Sequence, residues 1–177
     1  MPAPSAIARF TLALRAGAGE MRIPLTSRQE AAYQIHYDLL LAHNARAGLT
    51  TITDPAEAAV KHFLDSLTGL LVRDIAPGER AADIGSGGGF PGLVLAVARP
   101  RAEFTLIESV GKRARFLALA VEQLGLANAV VLHDRAEAAG RTPEHGERYD
   151  LAVARAAAPL PRLLKYALPL LRPGGHL

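Results

Sequence analysis

Apolar residues recur at helical spacing through Ala31, Tyr33, Ile35, Tyr37 and Leu39 to Leu41, and they predict a helix that starts at a capping-box pair, Ser27 with Glu30. A second helix is predicted from Asp54 as N-cap, Pro55 at the first helical position and Glu57 at N3. Its apolar face carries Val60, Phe63, Leu64, Leu67, Leu70 and Leu71, and it should end near Pro77-Gly78. Residues 1–24 are rich in Ala and Arg, with Gly17 and Gly19 near their end, and read equally as a short helix or a frayed tail. From Glu79 onward the period changes. Strands are predicted near 80–85, 103–108, 128–132 and 149–153, with helices near 90–98, 112–124 and 160–171 between and after them. Repeated βαβ units imply an α/β fold with a parallel sheet, helices on both faces and right-handed crossovers. The chain thus divides into an N-terminal helical extension, 1–75, packing on a core, 76–177.

Chemistry enters at the end of the first strand, in Asp83-Ile84-Gly85-Ser86-Gly87-Gly88-Gly89-Phe90-Pro91-Gly92, followed by Glu108 at the end of the next. Glycines let a backbone approach a ligand closely, and an acid about 20 residues further on binds ribose hydroxyls. Two frames compete. Gly87-x-Gly89-x-x-Gly92 fits the dinucleotide fingerprint and would make the chain an oxidoreductase, but it leaves Asp83 and Gly85 unexplained. D-x-G-x-G-x-G uses every special residue from Asp83 to Gly89 and is preferred. It is the pattern of class I S-adenosylmethionine methyltransferases, in which the glycines meet the cofactor's amino-acid moiety and the later acid its ribose. A sheet of that class has more strands than the four predicted. Arg172-Pro173-Gly174-Gly175 reads as a helix terminator placed where another strand should begin, so the C-terminal strands are expected to be missing after the fourth strand and its helix.

Composition narrows the chemistry. No cysteine is present, which excludes disulfides, thiolate metal sites and the cysteine-dependent route to pyrimidine C5 methylation, and no metal site is expected. No apolar run approaches the roughly 18 to 20 residues of a membrane span, and the start lacks a signal-peptide pattern. A cytoplasmic protein without a membrane partner is expected. The net charge of +3 is small, but Lys112, Arg113 and Arg115 cluster after Glu108, and Arg135 and Arg155 follow two further strands. All five should lie near one sheet edge, as an anionic partner would require.

With Lys61-His62-Phe63-Leu64-Asp65-Ser66, the glycine motif, Glu108-Ser109-x-x-Lys112-Arg113, Arg135-Ala136-Glu137 and Ala154-Arg155-Ala156, residues 43–177 resemble the bacterial 16S ribosomal RNA guanine-N7 methyltransferases, also called the glucose-inhibited division protein B family. Gly48 in Gly48-Leu49-Thr50 and His43 before Asn44 depart from that family's pattern. The resemblance implies action on 16S ribosomal RNA or the small ribosomal subunit with S-adenosyl-L-methionine, and a monomer is expected. It also implies that Gly85, Gly87, Gly89, Glu108, Ala136 and Glu137 line the cofactor pocket together with Asp83, Ser86, Phe90 and Arg155, while Lys112, Arg113, Arg115 and Arg155 face RNA.

N7 of guanine carries an in-plane lone pair and no proton, so its methylation needs alignment and not a general base. Ala154-Arg155-Ala156-Ala157-Ala158-Pro159 stands where amine methyltransferases carry an Asn/Asp-Pro-Pro-aromatic motif, which disfavours adenine-N6 and guanine-N2 as targets. Arg155 is read as the residue that positions the guanosine, with a structural ion pair as the alternative. Asp83 either braces the glycine loop or touches the cofactor. His62 and Asp65 lie one turn apart, either at the mouth of the site or as a polar cap over the core. An inactive, cofactor-binding chain is the other reading that truncation leaves open.

Overall fold

The computed structural model describes residues 5–177. Helix α1 (Ala6–Glu20) starts at Ser5, whose hydroxyl accepts from the Ala8 N–H at 3.2 Å, which decides for a helix over a frayed tail. Helix α2 (Ser27–Ala47) does not start on the Ser27–Glu30 pair. Thr26 is the cap and Gln29 completes the box, because Glu30 is taken by Arg15 of α1, with Nε to Oε1 at 2.7 Å. Gly48, at φ +62°, closes α2 in the left-handed region that only glycine enters freely.

The second predicted helix begins as expected, with Asp54 Oδ1 accepting from the Glu57 N–H at 3.0 Å. It comprises α3 (Pro55–Ala58), a π-helical stretch (Ala59–Leu64) and α4 (Asp65–Val72), which run on in helical dihedrals. In the π stretch the Asp65 N–H reaches Val60 O, five residues back. That wider turn rotates the apolar face. Phe63 and Leu67 are buried, whereas Val60 and Leu71, expected on the same face, are exposed.

The core is a five-stranded sheet in the order β3-β2-β1-β4-β5, every neighbouring pair parallel. Its strands are β1 (Arg80–Ile84), β2 (Glu103–Ile107), β3 (Ala129–Leu132), β4 (Tyr149–Val153) and β5 (Leu171–His176). Crossovers run through α5 (Gly92–Ala98), α6 (Gly111–Gln123), the one-turn α7 (Ala136–Ala139) and α8 (Leu160–Ala167). The expectation that the sheet stops after four strands is therefore corrected. Helix α8 ends before Pro169, and Leu171–His176 pairs with β4 through Tyr149↔Leu171 and Leu151↔His176, with an irregularity between them. Pro173 is tolerated because β5 is the sheet's edge, and Arg172 Nε donates to Asp150 Oδ1 at 2.5 Å across the pair.

Helices and sheet share one apolar cluster, in which Phe10, Tyr33, Tyr37, Phe63 and Leu67 meet Leu93, Val94, Leu106, Phe116 and Leu117. Tyr33 and Tyr37 are buried whole because their hydroxyls donate to Val94 O at 3.1 Å and Thr53 O at 2.8 Å. This packing sets α3, the π stretch and α4 against the loop that leaves β1. Among the described residues no helix is long and apolar enough to cross a membrane, and no group of three acidic, His or Cys side chains is disposed to hold a metal.

Candidate active site

Registers Ile84↔Ile107 and Asp83↔Val153 bring the carboxyl ends of β1, β2 and β4 level, and the glycine loop crosses that edge. Gly85 sits at φ +71° and Gly87 at +55°, so the chain reverses at once after the strand. The Gly85 and Ser86 N–H groups both donate to Ile107 O, at 2.8 and 3.2 Å, which ties the loop to β2. Ser86 turns inward and donates its hydroxyl to Asp83 O at 3.0 Å. Beneath it the Asp83 carboxylate is fully buried, with Oδ2 accepting from the Gly92 N–H at 2.9 Å and Oδ1 without a partner among the described residues. Burial pushes its pKa up to about 6, against the donors around it.

Gly92 is needed for that contact, and not as the last glycine of a dinucleotide fingerprint. A Cβ there would lie 2.5 Å from both Asp83 Oδ2 and Leu106 Cδ2. Gly92→Ala is expected to destabilise the protein by about 1–3 kcal/mol through overpacking, measured by urea unfolding, whereas Gly19→Ala, where a Cβ meets nothing within 4 Å, should be neutral or stabilising.

Glu108 spans from the end of β2 to the loop. Its side chain is buried, Oε2 accepting from the Gly87 N–H at 2.9 Å and Oε1 from the Val110 N–H at 2.8 Å. Each carboxylate oxygen keeps a second lone pair for an incoming hydroxyl. Beside it a cleft of about 170 Å³ is lined by Gly85, Ser109, Asp134, Arg135, Ala136 and Glu137, among others, with Ala157 opposite Gly85. A Cβ on Gly85 would approach Ala157 Cβ to 3.1 Å and narrow the cleft. A bare glycine wall, a braced carboxylate and further acids at the rim fit a hydroxyl-bearing, cationic nucleoside.

Phe90 and Arg155 are not in this cleft, contrary to their expected place among the cofactor contacts. The Phe90 ring turns toward the helices and stacks on His36 at 4.8 Å and on His62 at 4.6 Å. Three acceptors on the neighbouring helix draw Arg155 the same way: Nη1 donates to Lys61 O at 2.7 Å and to Asp65 Oδ2 at 2.9 Å, and Nη2 to His62 Nδ1 at 3.0 Å. Its guanidinium carbon lies 5.1 Å from the Phe90 centroid. Arg155 and Asp65 instead edge a larger groove, about 650 Å³, along α4 and β4.

The basic cluster at the start of α6 divides. Lys112 and Arg115 are exposed, whereas Arg113 is half-buried and donates to Gly48 O at 3.1 Å, which ties α6 to the turn after α2. His36 carries no signal in the sequence beyond its place on α2. It is buried, with Nε2 2.7 Å from Gly88 O, so that nitrogen must hold the proton, and Nδ1 has no partner among the described residues. Burial depresses its pKa to about 4.

Residues 29–177 match the model of the family described as rRNA small subunit methyltransferase G. The chain belongs to that family. A ribosomal RNA small subunit methyltransferase G of Desulforamulus reducens is 42% identical over 167 residues, which are 94% of this chain and 70% of that protein. The protein of the same name from Symbiobacterium thermophilum is 47% identical over 154 residues, 82% of this chain and 61% of that one. The chain thus spans about 60 to 70% of the length of these relatives.

Solved structures agree on the fold, that of class I methyltransferases. A protein-L-isoaspartate O-methyltransferase superposes with a TM-score of 0.55 at 16% identity, covering 97% of this chain and 53% of its own. An S-adenosyl-L-methionine-dependent methyltransferase from Methanococcus maripaludis, described as putative, gives 0.53 at 16% identity over 67% of this chain and 57% of its own. A Thiobacillus denitrificans methyltransferase in complex with S-adenosyl-L-homocysteine gives 0.50 at 20% identity over 78% and 52%.

Proposed function

We propose that this chain transfers a methyl group from S-adenosyl-L-methionine to N7 of a guanosine in bacterial 16S ribosomal RNA. One observation carries the reading: in a chain of the rRNA small subunit methyltransferase G family, a glycine loop leaves β1 over a cleft to which a braced Glu108 stands adjacent. The cofactor, when bound, supplies an electrophilic methyl group on a sulfonium. The chain's own residues bind and orient. Glu108 accepts from the ribose hydroxyls, Gly85 and Gly87 give the room for close approach, and Ala136 with Glu137 borders the cleft at the start of α7. Asp83 and Ser86 act from below by holding the loop.

The guanine N7 lone pair needs no proton removed, so positioning carries the reaction. Arg155 is the positioning group. After its three bonds to protein, Nε–H and one Nη2 hydrogen have no partner among the described residues and can donate to a guanine O6. Arg155→Ala is expected to lower methyl transfer into 16S RNA about 100-fold or more while the Kd for S-adenosyl-L-homocysteine stays unchanged. An unchanged transfer rate would remove this role. Incorporation of labelled methyl into small subunits from a strain lacking N7 methylation, with the product nucleoside identified, tests the reaction itself. Protection against heat by NAD and not by S-adenosyl-L-homocysteine would favour the oxidoreductase.

Lys112 and Arg115 reach RNA phosphate in this reading. Replacing either by Ala should reduce the salt slope of RNA binding by about one, whereas Arg113→Ala acts through the Gly48 tie and lowers stability. The same reading makes the protein a cytoplasmic monomer.

A further inference from the structure

We propose that His62 is a positioning residue, a neutral imidazole whose Nδ1 lone pair fixes the Arg155 guanidinium above Phe90. The inference rests on the reading of Arg155 as the guanosine-positioning residue. A guanidinium only donates, so the 3.0 Å contact between Arg155 Nη2 and His62 Nδ1 requires a bare lone pair on Nδ1. The proton of the neutral ring then sits on Nε2, which faces Thr50 Oγ1 at 2.7 Å. Thr50 is placed to receive it. Its hydroxyl also accepts from the Ile52 N–H at 2.9 Å, and its backbone is held by Asn44, whose Oδ1 accepts from the Leu49 and Thr50 N–H groups at 2.9 Å and whose Nδ2 donates to Thr50 O at 2.8 Å.

The ring is fixed in its other directions as well. Phe90 stacks on its face at 4.6 Å, and the π stretch carries the Lys61 carbonyl, which accepts from the same guanidinium that His62 and Asp65 hold. A chain of defined donors therefore runs from the end of α2 through Thr50 and His62 to Arg155, and a protonated His62 would set donor against donor. Both ring nitrogens of His62 are engaged by Thr50 and Arg155, so it acts through Arg155.

Two substitutions separate this role from simple packing. His62→Asn keeps an acceptor oxygen at the Nδ1 position, whereas His62→Gln reaches the Nε2 position and leaves Arg155 Nη2 without this acceptor while Nη1 keeps Lys61 O and Asp65. The Asn variant is expected to keep kcat within about fivefold of the parent, and the Gln variant to lose about 30-fold or more, the loss of a hydrogen bond to a charged group, with Kd for S-adenosyl-L-homocysteine unchanged in both. Equal kcat values for the two variants would overturn the proposal. Nitrogen-15 NMR of the histidines in the unmodified chain reads the tautomer without turnover: protonated Nε2 and bare Nδ1 on His62 support it, and a protonated Nδ1 overturns it. That arm also covers variants that fail to fold, and it separates this inference from the methyltransferase reading, which wild-type methyl transfer tests on its own.

Discussion

Glu108→Ala should weaken binding of S-adenosyl-L-homocysteine by a factor of 100 or more, read by titration calorimetry on folded protein. Two losses combine. The first is direct, since a carboxylate that accepts from two ribose hydroxyls makes charge-assisted bonds of about 1.5–3 kcal/mol each. The second acts on the apo protein: the Gly87 and Val110 N–H groups lose the oxygens that hold them at 2.9 and 2.8 Å, and the loop at Gly87 loses its tie to β2's end. Glu108→Gln discriminates between the two. The amide keeps one acceptor oxygen but turns a donor toward one of these N–H groups, so it should bind nearly as poorly as the Ala variant although its size is unchanged. Full affinity in Glu108→Gln would mean that the ribose is held elsewhere, and the assignment of the cleft would fall with it.

The parts of this site that were legible in the sequence are those whose causes are local. Asp83, the glycines and Glu108 are dictated by a strand that must reverse at once and by a neighbouring strand of the same length, and both signals lie within short windows. Strand positions were legible for the same reason. The misses have non-local causes. Thr26 and not Ser27 caps α2 because Arg15, on another helix, claims Glu30. The π turn shows no composition signal, and it changes which residues of one helix face the core. Strand β5 contains Pro173, Gly174 and Gly175, which read as a turn; edge position and the Arg172–Asp150 pair make it a strand. Phe90, within the glycine motif, and Arg155, after β4, turn toward the helices through His36, His62 and Asp65, and only the packed helices reveal that direction. Local pattern thus located the glycine loop and the acid beside it, and tertiary packing decided what stands on the loop's other side.

The stability curve of His36→Phe should cross that of the wild-type protein as pH falls. Burial holds the folded pKa of His36 at about 4, whereas an exposed histidine in the unfolded chain titrates near 6.5. Between those values the unfolded state binds a proton that the folded state does not, so His36 removes stability as pH drops through that window, by about 3 kcal/mol in full. His62, also at about 4, acts in the same direction, burial being the larger cause and Arg155 the next. Asp83 has the opposite sign. Its folded pKa of about 6 lies above the ordinary 3.8, so the folded state holds the extra proton, and the group adds stability as pH falls from about 6 to about 4. In the wild-type protein one histidine is offset by Asp83 and the other is not, which leaves a net loss on acidification. Phenylalanine at 36 keeps the stack on Phe90 but abandons the Gly88 carbonyl, at about 1–3 kcal/mol near pH 7. It also removes one titration, so its curve should fall less steeply than that of the wild type from pH 6 to about 4.5, both curves sharing the loss from carboxylates such as Glu30 and Glu79 that arginines hold below their ordinary range, and the wild type descends to meet it. Urea midpoints at half-unit pH steps measure both, and curves that stay parallel throughout would show that His36 is not held neutral in the folded state.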